Sequence, residues 1–416
     1  MCKAFLSVDI PMNKANNPIL HQFLEKYTKK VIPSRSTLRR NINEVYDEVI
    51  ENIRSEVRDR PIWLSIDETT DATSRYVANV LVGALSKDGP SKPHLLMSRE
   101  LQVTNNSTIT QLVLDALVLL WPGQRNEEIS RKFVVFLTDA AAYMLRAGRN
   151  LKSTYLSLMH VTCLAHGLNR VAETIKGLFP LTNRLMSSVK AIFKKAPSRV
   201  LKYKDLYPNL ALPPEPIQIR WGTWLQAADF YASHFEEIRN VVSSLDASDA
   251  ASIKSAQSLF EMRSLRDELV CVTSNFSFIA KRITALEDRK LTLYDSVAVI
   301  ESVEAALSNS SSTINKTVKG KLMDVLKKNP DFQKLSVIAK ILNGEAVGSP
   351  SHNLSPAILA SLKFCPITSV EVERSFSMEK AILTDRRQRF LMENLEKVVI
   401  CHYELAICDE NFVELI

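Results

Sequence analysis

Two acidic residues stand where predicted hydrophobic strands end. The run 62–66 (Ile-Trp-Leu-Ser-Ile) leads into Asp67, and the run 133–138 (Phe-Val-Val-Phe-Leu-Thr) leads into Asp139. An ionised carboxylate beside a buried strand has a large desolvation cost unless a cation or a hydrogen-bond donor compensates it. For a single aspartate the simpler interpretation is a turn leaving the strand. Two copies of the arrangement instead predict a shared site, because a divalent cation stabilises two carboxylates that lie close together.

A third acidic candidate lies near the carboxy-terminal end of the sequence. Thr368 and Glu371 have the spacing of a capping box, which predicts a helix start here and explains Glu371 locally. Glu373 has no such local explanation, and it borders the apolar face of the predicted helix. The alternative is a surface ion pair within the helix, for example with Lys380.

The elements around these acids follow a definite order. Strands are predicted at 62–67, 76–85 and 94–103, followed by a helix at 108–121, the strand ending at Asp139, a helix at 141–152 and a strand at 155–163. The first three strands are close enough in sequence to form an antiparallel meander. This is the order of a ribonuclease-H-like sheet.

The predicted fold class is therefore α/β, with a ribonuclease-H-like mixed sheet interrupted by a large all-α insertion and preceded by a helical region. The predicted domains are a helical N-terminal region (1–60), the first part of the core (61–170), the all-α insertion (171–360), and the C-terminal part of the core (361–416).

Composition limits the class of protein. The chain has 416 residues, of which 46% are hydrophobic and 24% charged, and only 10 are glycine, so an ordered, helix-rich globular protein larger than one typical domain is predicted. Its six cysteines contain no CxxC pair, which argues against a disulfide framework or a cysteine-rich zinc finger and favours a reducing compartment. We find no apolar run of about 18 residues, so no membrane association is predicted. The net charge of +7 is mild for this length.

Basic residues cluster most densely between 190 and 204. Lys190, Lys194, Lys195 and Arg199 are interleaved with the aromatic residues Phe193 and Tyr203, a pattern suited to the phosphate backbone of DNA. A solvated helix face is the alternative interpretation.

Two further positions are candidates for contact with DNA. Arg220 and Trp221 place an aromatic ring beside a cation, and such a ring either stacks on an unpaired base or packs in the core. His166 follows Cys163 by three residues, but no second ligand pair lies nearby, so structural zinc is not predicted. His166 is either an interior histidine or a site histidine near phosphate.

With Asp67, Asp139, the motif 163–166 (Cys-Leu-Ala-His), Arg220-Trp221 and the motif 372–377 (Val-Glu-Arg-Ser-Phe-Ser) in this order, the chain resembles the hAT-superfamily DNA transposases. The resemblance covers nearly all of the chain. It implies that Asp67, Asp139 and Glu373 are a catalytic, metal-binding acidic triad for Mg²⁺ or Mn²⁺.

The same resemblance implies the partners and the location. His166 and Trp221 match family positions near the cleaved DNA end, and residues 361–416 match the dimerisation region. The expected partners are DNA at transposon ends and further copies of this chain, as a homodimer or a larger homo-oligomer, and the expected location is the nucleus. Two metal ions in such a site can activate water or a 3′-hydroxyl and stabilise the leaving oxygen.

The sequence departs from the family pattern at its start. Family members usually carry a zinc-binding BED finger that recognises transposon ends, whereas this sequence begins at Met1-Cys2-Lys3 without one. We therefore expect recognition of specific ends to depend on a finger that was lost, is encoded elsewhere or is supplied by a partner. The alternative function is a domesticated or remnant transposase that dimerises and binds DNA or chromatin without catalysis.

Overall fold

The computed structural model describes residues 1–71, 74–216, 222–310, 312–345, 354–383 and 390–406. Within these ranges the chain forms two compact units. The first contains residues 1–163, 292–294 and 330 onward, and the second contains residues 164–291 and 295–329.

The described residues contain five strands and nineteen α-helices. The strands are β1 (Ile62–Thr70), β2 (Tyr76–Ala84), β3 (His94–Leu101), β4 (Phe133–Thr138) and β5 (Met159–Thr162). The helices are α1 (Cys2–Ser7), α2 (Pro18–Thr28), α3 (Arg35–Val57), α4 (Asn106–Leu120), α5 (Asn126–Lys132), α6 (Ala142–Thr154), α7 (Leu164–Leu178), α8 (Pro180–Phe193), α9 (Pro197–Leu206), α10 (Thr223–Ser233), α11 (Phe235–Ser243), α12 (Ala251–Phe260), α13 (Arg263–Leu286), α14 (Leu293–Ser308), α15 (Thr313–Lys328), α16 (Phe332–Leu342), α17 (Pro356–Ser361), α18 (Val370–Ile382) and α19 (Met392–Ala406). Short 3-10 helices span Met12–Asn16 and Leu362–Phe364.

The first unit is built on one mixed five-stranded sheet with the order β3-β2-β1-β4-β5. β1 and β2 are antiparallel, as are β2 and β3, whereas β4 runs parallel to β1 and to β5. The predicted meander of the first three strands and the mixed α/β class are confirmed. β5 is shorter than the predicted strand at 155–163, because Leu158 N donates to the Tyr155 carbonyl at 3.0 Å and forms a turn before the strand begins.

The sheet is covered on both faces. Every residue of β4 is buried, as are the first six residues of β1 and all of β2 except Tyr76. Such continuous burial accounts for the uninterrupted hydrophobic runs in the sequence, since a strand with one solvated face would alternate. Helix α19 packs against β3, α1 and α3, and helix α18 packs against β1 and β2.

Local sequence signals account for several helix starts. Asn17 caps α2, Ser34 caps α3, and Asn105 forms a capping box with Thr108 at the start of α4. The predicted helix start at Thr368 is confirmed to within two residues, since α18 begins at Val370. Ser369 occupies the N-cap position of α18 without a side-chain capping bond.

The second unit is entirely helical in its described residues. Helix α13 packs against α10 and α7, and α15 packs against α7. Contrary to the expectation that no apolar run is long enough, the 24-residue helix α13 contains an 18-residue window with a mean hydropathy of 1.2, which by length and composition would suffice to cross a membrane. Its residues Leu269, Val272 and Phe276 are buried, which is typical of a core helix.

The helical unit begins at residue 164, slightly before the predicted start of the insertion at 171. It ends at residue 329, well before the predicted end of the insertion at 360. Residues from 330 onward group with the sheet. The buried Asp331 explains this grouping, because its carboxylate accepts from His160 N of β5 at 2.8 Å and from Lys152 Nζ of α6 at 2.7 Å.

Replacing Gly148 with alanine is expected to destabilise the first unit by about 1–3 kcal/mol, the usual cost of overpacking a core. A Cβ at this position would lie 2.0 Å from Nδ1 of the buried His160. That ring cannot move easily, because it stacks on Phe136 with centroids 5.1 Å apart and its Nε2 lies 2.9 Å from Thr138 Oγ1. Urea denaturation measures the effect.

Gly320→Ala is the matched control. Gly320 also lies in a helix, but an added Cβ there meets nothing within 4 Å. Alanine should therefore stabilise the helix by about 0.5–1 kcal/mol. Equal stability of the two variants would contradict the packing assigned to Gly148.

Candidate active site

The structure brings Asp67 and Glu373 together. Asp67 lies in β1 and is 7% exposed, and Glu373 lies half-buried in the first turn of α18. A carboxylate oxygen of one lies within 4.8 Å of a carboxylate oxygen of the other. Two oxygens that bind the same Mg²⁺ at 2.0–2.1 Å lie at most about 4.2 Å apart. The two acids therefore fit a shared divalent ion after a small side-chain adjustment.

Packing and one buried hydrogen bond position this pair. Asn79 of β2 lies opposite Asp67 in the antiparallel register. Its Nδ2 donates to Ser375 Oγ at 2.9 Å, and that hydroxyl in turn donates to the Val372 carbonyl at 2.6 Å. Since Ser375 follows Glu373 by two residues, this contact fixes the first turns of α18 against β2 beside Asp67.

The third predicted acid, Asp139, follows the end of β4. The parallel register between β1 and β4 ends at the pair Ser65 and Leu137, two residues before Asp67 and Asp139 respectively. Within the described residues, however, Asp139 does not belong to the group of ligand atoms that all lie within 4.8 Å of one another around Asp67 and Glu373. Asp139 Oδ1 accepts from Ala141 N at 2.9 Å, just before α6. Its role as a metal ligand stays a prediction.

A further carboxylate adds negative charge near Asp139. Glu68 accepts a hydrogen bond from the Tyr143 hydroxyl of α6. Burial raises the pKa of Glu68 to about 7, and the charge of Asp139 adds to this effect. The strand ends thus gather acidic groups in an environment where an uncompensated charge is costly.

A second buried acidic side chain, that of Glu379, lies further along α18. Glu379 is 2% exposed, and it lines a cavity of about 20 Å³ together with Thr69, Asp71, Phe376, Lys380 and Leu383. Burial raises the pKa of Glu379 to about 7 and Asp71 contributes, whereas Arg75 and the Asn79 amide oppose the shift. Asp71 is held by Arg75, whose Nε donates to Asp71 Oδ2 at 2.7 Å.

The sequence analysis did not identify Asn79, Ser375 or Glu379. A usable signal exists for Asn79, the one strongly polar residue within the apolar strand 76–84. Ser375 and Glu379 have no such signal, because their importance comes from the way α18 docks on the sheet.

The predicted DNA-binding cations are in different environments. Lys194 and Lys195 are exposed after the end of α8, whereas Lys190 pairs with Glu215. Arg199 donates to the Ile192 carbonyl at 3.2 Å. Of these four cations, only Lys194 and Lys195 are thus fully exposed to solvent.

The aromatic part of the predicted phosphate-binding run is not available for stacking. Tyr203 is completely buried, its hydroxyl donates to the Ala211 carbonyl at 2.8 Å, and its ring packs edge-on against Phe193. The interpretation of this aromatic residue as part of a nucleic-acid surface is corrected to a core position.

The remaining DNA-contact predictions are untested. His166 is half-buried in the first turn of α7, in the helical unit. Arg220 and Trp221 lie outside the described residues.

Comparison with known families gives one match. A family model described as a domain of unknown function (DUF659) matches residues 33–198. This domain is found in hAT-like and transposase-derived plant proteins, so the match weakly suggests a transposon origin. The matched segment contains Asp67, Asp139 and the exposed lysines after α8 but ends before Glu373. No curated protein matches the chain.

Proposed function

We propose that this protein is a transposase-like enzyme of the hAT type that cleaves and joins DNA at transposon ends in the nucleus, using a divalent metal ion. The observation that carries the proposal is the pairing of Asp67 with Glu373, two acids far apart in sequence whose oxygens lie within 4.8 Å.

The fold is compatible with this chemistry. The strand order β3-β2-β1-β4-β5, with three antiparallel strands followed by two parallel ones, is the order expected for a ribonuclease-H-like sheet. The DUF659 match supports the same origin for residues 33–198.

Asp67 and Glu373 would hold the Mg²⁺ or Mn²⁺ ion, with Asp139 as the third acid of the triad. When bound, the ion would activate water or a 3′-hydroxyl for in-line attack on a phosphodiester and stabilise the leaving oxygen. The surrounding residues of the protein orient the carboxylates. The Asn79–Ser375 bond holds α18 at the strand ends, and burial of Val372 and Phe376 prevents the helix from rotating.

The exposed Lys194 and Lys195 are proposed to contact the DNA backbone, together with Lys190 and Arg199 of the same basic run. His166 and the Arg220-Trp221 motif are proposed to lie near the cleaved DNA end, as the resemblance implies. Dimerisation through residues 361–416 belongs to the same proposal.

A nicking assay tests the proposal. Supercoiled plasmid incubated with the purified chain should be nicked in Mg²⁺ or Mn²⁺ and not in EDTA. Asp67→Asn, Asp139→Asn and Glu373→Gln should each lower the nicking rate roughly 100-fold or more, because each carboxylate positions the ion. Asp88→Asn and Glu127→Gln change acids on the exposed surface and should retain the full rate.

Two outcomes would contradict catalysis. Nicking that survives in all three acid variants would indicate a contaminating nuclease. DNA binding without any nicking would instead favour the remnant transposase that binds DNA without chemistry, and the loss of such binding in a Lys194→Glu, Lys195→Glu variant would locate its surface.

A further inference from the structure

Helix α2 presents apolar side chains to solvent. Ile19, Phe23 and Tyr27 recur every four residues and are 79%, 55% and 66% exposed, and Val31 just beyond the helix is 89% exposed. We call these four residues the α2 stripe. Ile19, Phe23 and Tyr27 share one side of the helix, because residues four apart are neighbours on its surface, and Val31 lies just beyond the end of the helix at Thr28.

This helix has little to stabilise it within its own chain. No residue of α2 is buried, and the Asn17 cap provides only about 1 kcal/mol. Isolated helices shorter than about 12–15 residues are marginal in water, and α2 has 11. A contiguous apolar patch on such a helix is characteristic of an interaction site.

The charges beside the stripe are positive. Lys26, Lys29 and Lys30 are exposed, and the only acid in the helix, Glu25, pairs with His21 at 3.4 Å. A second copy of the same surface would bring like charges together, which is destabilising. An acidic partner is complementary.

The aromatic rings of the stripe are poorly placed for stacking on bases. The centroids of Phe23 and Tyr27 are 4.7 Å apart, so the rings already contact each other. Lys26 Nζ lies 5.4 Å from the centroid of Tyr27 and covers part of that ring. Together with Ile19 and Val31 the rings form an apolar surface that suits aliphatic side chains.

We propose that the α2 stripe binds an amphipathic helix of a partner protein, with the apolar face of that helix against the stripe and its flanking Asp or Glu residues against Lys26, Lys29 and Lys30. Helix α2 is about 16 Å long, which matches about three turns of a partner helix. This is the helix-against-helix mode in which apolar residues at i, i+4 and i+8 supply affinity and the charges supply selectivity.

A synthetic peptide tests this directly. The probe is a fluorescein-labelled 16-residue peptide with leucine on one helical face and glutamate on the others, titrated with the full chain and followed by fluorescence anisotropy. Phe23→Ser and Tyr27→Ser should each weaken binding about tenfold or more, as expected for aromatic residues at the centre of an interface. Lys26→Glu should weaken it as well, with a smaller dependence on salt than the wild type shows.

The controls distinguish binding at the α2 stripe from nonspecific hydrophobic binding. Leu156→Ser removes an apolar side chain that is 84% exposed elsewhere in the same unit and should leave binding unchanged. A scrambled peptide of identical composition has no apolar face and should bind far more weakly. Because the substituted residues are exposed, circular dichroism should show an unchanged fold.

Three results would overturn the proposal. Equal binding of the scrambled peptide would show that net charge alone accounts for the binding. Concentration-dependent dimerisation abolished by Phe23→Ser would assign the stripe to a second copy of the chain. Weakened binding of a single-stranded oligonucleotide by Phe23→Ser, without any effect on the peptide, would assign it to nucleic acid.

Discussion

Replacing Glu373 with glutamine should abolish the stabilisation of the protein by Mg²⁺. Carboxylate oxygens of Asp67 and Glu373 lie within 4.8 Å of each other, and the proposed ion would bind between them. At 100 times its dissociation constant the ion would stabilise the wild type by about 2.7 kcal/mol. Glutamine removes one of the ligands, so the variant should lose that gain.

Thermal denaturation across a Mg²⁺ titration measures this loss. Glu371→Gln is the matched control, since Glu371 lies on the same helix and pairs with Arg374. That variant should keep the Mg²⁺-dependent rise in Tm. A full Mg²⁺ response in Glu373→Gln would remove Glu373 from the proposed site whether or not the protein cleaves DNA.

Replacing Glu404 with alanine should destabilise the first unit by about 3–5 kcal/mol, the cost of breaking a buried ion pair by removing one partner. Glu404 of α19 is buried and lies 2.8 Å from Nδ1 of the buried His94 in β3. It also lies 3.1 Å from Lys92 Nζ and accepts from Leu95 N at 2.9 Å. The substitution would leave His94 Nδ1 and the Leu95 N–H without this acceptor, while Nε2 of His94 keeps Glu56 of α3 at 3.0 Å.

Urea denaturation provides the measurement, and Glu393→Ala is the control. Glu393 lies in the same helix, but its side chain is 80% exposed and pairs only with Lys397 one turn on. Its loss should change stability by about 0.5 kcal/mol at most. A comparable loss of stability in both variants would mean that helix propensity, and not the buried cluster around Glu404, determines the loss.

The same cluster makes stability depend on pH. Burial lowers the pKa of His94, but the hydrogen bond and the charge of Glu404 outweigh the effect of burial. Glu56 of α3, 3.0 Å away, acts in the same direction as Glu404, so the pKa of His94 is raised above 6.5. The charged form is therefore favoured in the folded state. Its contribution is fully present below pH 6.5 and is lost as the pH rises through the raised pKa. The wild type should lose stability over this range, and Glu404→Gln should show a flatter profile.

The sequence alone determined the strands and their order. Long hydrophobic runs bounded by turn residues predicted β1 to β4 with small errors at their ends, because burial on both faces requires such runs. The same runs predicted Asp67 and Asp139 at strand ends, which is correct for Asp139 after β4 and wrong for Asp67, because β1 continues past it to Thr70. Local sequence also predicted the start of α18, which begins at Val370 after the N-cap residue Ser369.

Tertiary structure alone decided which charged residues meet. Glu373 reaches Asp67 because α18 packs on β1 and β2, and no local pattern encodes that contact. The buried pairs of His94 with Glu404 and of Lys152 with Asp331 join residues far apart in sequence, and the same holds for the docking of residues from 330 onward on the sheet. The physical reason is that sequence periodicity reports which face of an element is apolar, whereas the approach of two elements is set by the shape and charge of both surfaces.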